Sequence, residues 1–160
     1  MITMGTVLAV SGAAISLGVA GLSTAYAVKS AGVTGAGAVA EKKENFKNAL
    51  VLQALPQTQT VYAFIISLLI LMGAGLLGGG VKELSIYQGL IMLGAGLIVA
   101  LTGTTAIMQG KVASAGIISC AKNQNAFAPS LVFTGQCETP AIFGFIIALI
   151  LLILGMGVLG

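Results

Sequence analysis

Tyr62-Ala63-Phe64-Ile65-Ile66-Ser67-Leu68-Leu69 and Phe143-Gly144-Phe145-Ile146-Ile147-Ala148-Leu149-Ile150 are one apolar stretch written twice, 81 residues apart (62 to 143). Upstream, Ser30-Ala31-Gly32 recurs as Ser114-Ala115-Gly116, 84 apart (30 to 114), and a longer first loop absorbs the difference. Self-similarity at a fixed spacing marks repeated architecture. Both copies lie in runs longer than the roughly 20 apolar residues that cross a bilayer. Four such runs occur, at about 4–38, 49–79, 85–121 and 129–158, long enough to tilt or protrude. Polar breaks at 41–48, 78–83 and 122–125 separate them, and short connections make successive helices antiparallel neighbours. The pattern predicts an all-α membrane protein with four transmembrane helices. They form two tandem antiparallel hairpins, residues 1–80 and 81–160, related by internal duplication and sharing one in–out sense.

Composition agrees. Hydrophobic residues make up 58% of the chain and charged residues 7%, where a soluble domain carries about 25%. The charges are seven Lys and four Glu, and the net +3 is small and lies largely in loops, which argues against a nucleic-acid partner. No phosphate-binding loop is present, so no ATPase activity of its own is expected. Cys120 and Cys137 sit in no metal-ligand pattern and read as small apolar fillers. Residues 1–5 lack the basic region of a signal peptide, so residues 1–30 are read as mature structure.

Lysines set the orientation. Lys42, Lys43 and Lys47 lie in the first loop, Lys122 in the third, and Lys29 and Lys111 toward the same ends. Lys82 is alone on the other side, beside Glu83. The positive-inside rule places loops 41–48 and 122–128 in the cytoplasm and both termini outside.

The spans also differ in bulk. Gly12, Ser16, Ala20 and Thr24 make a ridge of small residues at spacing four on the first span, and Gly96, Ala100 and Thr104 make another on the third. Such ridges let backbones approach closely in lipid. Phe64–Met72 and Phe143–Leu154 are bulky. A narrow helix paired with a wide one forms a wedge, and wedges close side by side into a homo-oligomeric ring; generic packing of a four-helix bundle is the alternative.

Glu138 is the one acidic residue inside a span, since Glu41, Glu44 and Glu83 fall in connections. An ionised carboxylate at mid-bilayer costs roughly 2.5 kcal/mol or more, which makes Glu138 the focus of any chemistry. The second span carries Leu55-Pro56-Gln57-Thr58-Gln59-Thr60-Val61-Tyr62, with Thr58, Gln59 and Tyr62 on one helix face. Pro56 removes a helical hydrogen bond from the carbonyl of Leu52. The third span adds Gln109 before Gly110-Lys111. In the hairpin alignment Gln57 takes the place of Glu138, so the duplication keeps one carboxylate for two hairpins. Hard oxygen donors with a single negative charge suit a monovalent cation. A divalent site would use more carboxylates. The amides and hydroxyl also admit a structural reading, as interhelical hydrogen bonds or bonds back to their own helix.

Leu55–Tyr62, Gln109-Gly110-Lys111-Val112-Ala113 and Glu138-Thr139 closely resemble the duplicated proteolipid subunit of V-type ATPases, most nearly its bacterial sodium-translocating type. The resemblance covers essentially the whole chain. It implies a rotor-ring subunit in a bacterial plasma membrane, non-catalytic itself, with identical subunits as ring partners. A stator subunit would supply an arginine, which this chain lacks, and a central-stalk subunit would meet the cytoplasmic loops. It further implies Na+ binding by Leu55, Thr58, Gln59, Gln109 and Glu138, with Tyr62 hydrogen-bonded to the carboxylate as a lock. Gln57 and Pro140 depart from the family's pattern. No organic cofactor is implied. A ring carrying H+ needs only Glu138 and stays open as an alternative. A channel-forming oligomer would show a polar stripe along one helix face, whereas these polar residues cluster at one depth. A small secondary transporter would carry inverted repeats rather than parallel ones.

Overall fold

The computed structural model describes residues 2–78 and 80–155, and every regular element among them is helical. Gly79 and residues 156–158, where the second and fourth apolar runs end, lie outside the described residues. Seven α-helices form four spans: α1 (Met4–Glu41) is the first, α2 (Phe46–Ala54) and α3 (Thr58–Gly73) the second, α4 (Ile86–Gly103) and α5 (Thr105–Lys122) the third, and α6 (Phe127–Gln136) and α7 (Thr139–Gly155) the fourth. All four are long and apolar enough to cross a membrane.

Local chemistry sets the helix ends. The Thr3 hydroxyl caps α1 by accepting from Thr6 N–H at 3.2 Å, and Ser85 and Gln88 form a capping box at the start of α4. The second span ends at Gly73, earlier than hydropathy implies, because Gly75 (φ 75°) and Gly78 (φ 90°) turn the chain through left-handed conformations. At α1's 38 residues and 1.5 Å per residue, the first span is about 57 Å long, well beyond the roughly 30 Å hydrocarbon core.

Only the first span is continuous. The second is interrupted by a 3-10 turn at Leu55–Gln57, where Pro56 lacks an N–H. In the fourth, Pro140 has the same effect on the carbonyl four residues back, and the chain tightens so that Glu138 N–H bonds Gly135 O at 3.0 Å. The third span, a single helix by hydropathy, breaks at Thr104. There the hydroxyls of Thr102, Thr104 and Thr105 all turn back onto backbone carbonyls, at 2.9, 2.6 and 2.8 Å. Such back-bonding competes with the helical ladder and bends it.

The break also corrects the expected ridge on the third span. Gly96 and Ala100 are buried, but Thr104 is turned outward. The close contact instead runs through Gly89, Gly96, Gly103 and Gly110, every seventh residue. A Cβ on Gly89 would strike Gly5, one on Gly96 would strike Gly12, and ones on Gly103 and Gly110 would press on Ala20 and Ala27. A seven-residue recurrence is the signature of left-handed helix packing. The first and third spans therefore meet backbone to backbone, in register, and Ser30 and Ser114 hydroxyls lie 3.3 Å apart along the same line.

The second and fourth spans flank this pair, with α3 packed on α1 and α7 on α4. At one end, Asn45 and Gln124 tie the first and third loops together at 2.8 Å, with Asn48 donating to Gln124 at 2.7 Å. At the other, Thr3 and Thr6 of α1 donate to the carbonyls of Leu84 and Lys82.

Gly96→Ala should destabilise the protein by about 1–3 kcal/mol, because the methyl meets backbone that cannot yield. Gly94→Ala, with open space at its Cβ, should be neutral or stabilising by up to about 1 kcal/mol. Thermal unfolding of the two purified variants beside the unaltered protein tests the contrast.

Candidate functional site

The polar residues collect around the breaks in the second and fourth spans. Thr58 opens α3, and its hydroxyl donates to Leu55 O at 3.0 Å across the 3-10 turn. It also lies 3.2 Å from Gln59 Oε1. Gln59 is wholly buried, and its Nε2 donates to Gln109 Oε1 at 2.6 Å. Gln109, equally buried on α5, donates from Nε2 to the carbonyl of Thr134 at 3.1 Å. Thr134 lies one helical turn before Glu138. One turn beyond Thr58, the hydroxyl of Tyr62 donates to Glu138 Oε1 at 2.5 Å. Phe145 stacks on Tyr62 with ring centroids 5.1 Å apart, holding the phenol toward the fourth span.

Two clusters therefore stand next to each other. Leu55, Thr58, Gln59 and Gln109 form a hydrogen-bonded chain whose two amides are buried and whose other two members are half-buried, and Tyr62 and Glu138 form a half-buried pair. Among the described residues no direct hydrogen bond joins Glu138 to Gln59 or Gln109. The fourth span connects them, through the carbonyl of Thr134. Sequence reasoning had no means of finding Thr134 or Phe145. The first contributes a backbone oxygen, which residue type does not reveal, and the second is one of several bulky residues in an apolar run.

The chemistry of the donor set is narrow. The amide oxygen of Gln109 accepts one hydrogen bond and keeps a second lone pair, and that of Gln59 faces the Thr58 hydroxyl, whereas Leu55 O accepts from both the N–H and the hydroxyl of Thr58. With Thr58 Oγ1 and the free carboxylate oxygen, these are hard donors around one formal negative charge. Among the described residues no three His, Cys, Asp or Glu side chains come together. The set therefore matches a small monovalent cation better than a divalent or soft metal. Free Cys137 turns its sulfur back to Phe133 O, and Cys120 is buried among apolar neighbours.

Comparisons with known proteins follow the same lines. A model of the ATP synthase C-subunit family matches residues 11–70 and 93–151. The chain is 40% identical over 147 residues to the A-type ATP synthase subunit K of Methanocaldococcus jannaschii, covering 92% of this chain but 62% of that longer protein. It is 38% identical over 150 residues to the V-type sodium ATPase subunit K of Enterococcus hirae, covering 93% of this chain and 92% of the relative. The 16 kDa proteolipid of the V-type proton ATPase of Ovis aries is 28% identical over 89% of each chain.

Gln59→Leu should cost about 1–3 kcal/mol of stability, because it strands a buried amide acceptor on Gln109. Gln59→Leu with Gln109→Leu should cost less than the two single changes added together. A double-mutant cycle on thermal unfolding reads the coupling, and simple additivity would show that the two amides act independently.

Proposed function

Because the chain belongs to the ATP synthase C-subunit family, we propose that copies of it form the ion-carrying membrane ring of a V- or A-type ATPase. In this reading each copy carries one Na+ at Glu138. The chain is an integral membrane proteolipid, and ATP hydrolysis belongs to other subunits. The two separate family matches support reading residues 1–80 and 81–160 as duplicated hairpins.

The observation that carries the sodium reading is the Thr58–Gln59–Gln109 chain beside the Glu138–Tyr62 pair. Leu55 O, Thr58 Oγ1, the two amide oxygens and the carboxylate would replace the hydration shell of the ion. Tyr62 would hold the carboxylate in place while the ion is carried. A proton would need the carboxylate alone, which leaves the amides without a task in transport. The relative named as a sodium ATPase subunit, similar over nearly its whole length, points the same way. The relatives named as proton ATPase subunits lie at lower identity.

Rotation follows from electrostatics. A loaded site is close to neutral and can face lipid. An emptied site is a bare carboxylate, and must stay beside a counter-charge such as an arginine of a stator subunit. One elementary charge crossing 100 mV is worth about 2.3 kcal/mol, so several ions per turn match the free energy of ATP hydrolysis. The lysine-bearing loops 41–48 and 122–128 would face a bacterial cytoplasm and a central-stalk subunit, with the termini outside.

A hydrophobic carbodiimide, which reacts with carboxyl groups inside the membrane, should label Glu138. NaCl should suppress labelling and KCl should not. Labelling indifferent to Na+ would assign the ring to protons, and absence of labelling at any pH would remove Glu138 from the mechanism. Glu138→Gln should abolish both labelling and ATP-driven 22Na+ uptake by the assembled complex. Tyr62→Phe should raise the Na+ concentration for half-protection about tenfold, the loss of one charge-assisted hydrogen bond at a partly exposed position.

A further inference from the structure

Phe145 stands apart from the other phenylalanines of the chain. Phe46, Phe64, Phe133 and Phe143 are exposed, and Phe127 packs against an apolar cluster. Phe145 is half-buried and stacks on Tyr62, with ring centroids 5.1 Å apart and planes inclined by 27°. It comes seven residues after Glu138 (138 to 145), close to two helical turns, and so lies on the same face of the fourth span. That span therefore supplies both groups that hold Tyr62. Glu138 Oε1 accepts from the phenol at 2.5 Å, and the ring of Phe145 lies against its face.

A phenol turns about its side-chain bonds, and a second acceptor is close at hand. Thr58 stands one turn before Tyr62 on the same face of α3, and its hydroxyl lies within reach of the phenol. The proton of Thr58 Oγ1 faces Leu55 O and Gln59 Oε1, which leaves its oxygen free to accept. That oxygen is one of the hard donors of the site. A phenol that turned to Thr58 would release Glu138 and take up a lone pair that an ion needs. The stack decides between the two, because a ring laid against the fourth span keeps its hydroxyl on the carboxylate of that span.

We propose that Phe145 is a positioning residue for ion retention, which holds the Tyr62 phenol on Glu138 and off Thr58. Its side chain has no polar atom, so it acts only through Tyr62. Removing the ring weakens the site twice over: the carboxylate loses its tether and the Thr58 oxygen is drawn into a bond with the phenol. The proposal rests on the sodium reading of the site.

The concentration of NaCl that half-protects Glu138 from the carbodiimide, measured on the assembled complex, reads the effect. Phe145→Leu should raise it about fivefold, the size of a lost aromatic pair. Phe145→Tyr, which keeps the ring, should restore it. Tyr62→Phe retains the stack and removes only the hydroxyl. In that background Phe145→Leu should change half-protection by less than about twofold, because nothing is left to position. A fivefold change persisting there would make Phe145 a packing residue alone, and an unchanged value with Tyr62 present would detach the stack from the ion. Either result overturns the proposal. If NaCl fails to protect the unaltered protein, the sodium reading falls, and the same variants are compared by labelling rate in KCl. There Phe145→Leu should quicken labelling of Glu138 about fivefold beside Tyr62, and by less than about twofold in the Tyr62→Phe background. Equal effects in both backgrounds would overturn the positioning role on its own account.

Discussion

A carbonyl freed by a helix break inside hydrocarbon must find another donor, and the architecture of this protein follows from meeting that need. The second span frees its backbone at Leu55–Gln57, the fourth at Gln136–Glu138. Side chains donate to carbonyls around these breaks: Thr58 bonds Leu55 O, Thr24 of α1 bonds Pro56 O at 3.1 Å, and Gln109 bonds Thr134 O. The polar residues at mid-membrane thus serve as backbone partners before they serve any ion. Unbroken α1 supplies the rigid wall that the broken second and third spans lean on, and its buried face is made of Gly, Ala, Ser and Thr.

The same requirement explains why Glu138 sits where it does. Pro140 loosens the helix just ahead of α7, and the carboxylate emerges at that joint, reaching across to Tyr62 rather than along its own helix. A regular helix there would present the carboxylate on a fixed face. The joint places it near two buried amides while leaving it half-exposed.

Much of this was legible in the residues. Hydropathy and the 62–69/143–150 repeat are long-range regularities of composition, and they located four spans and the special position of Glu138. Pro56 announced its own distortion because a missing N–H is a local fact. The break at Thr104 was hidden, since three threonines near one another read as mildly polar helix until their hydroxyls are seen bonded back to the carbonyls of their own span. The glycine seam was hidden for another reason. Gly89, Gly96, Gly103 and Gly110 carry no hydropathy contrast, and their meaning lies in Gly5, Gly12, Ala20 and Ala27, over eighty residues away. Spacing within one span showed small ridges, but only the partner span selects the ridge that is used. The carbonyl of Thr134 belongs to the same class, being a backbone atom whose role depends on another helix.

The seam has a mechanical consequence. Where two helices touch through side chains, rotamer changes absorb displacement and the pair shears easily. Between the first and third spans there is almost nothing to absorb it, because backbone rests on backbone from Gly5–Gly89 to Ala27–Gly110. A sideways load on this half of the pair is therefore passed between the Ala27–Gly110 level and the Gly5–Gly89 end with little lost to internal slip, whereas toward the Asn45–Gln124 end the two spans meet through the side chains of Ser30 and Ser114. Over that half of the molecule the paired inner helices behave as a stiff beam.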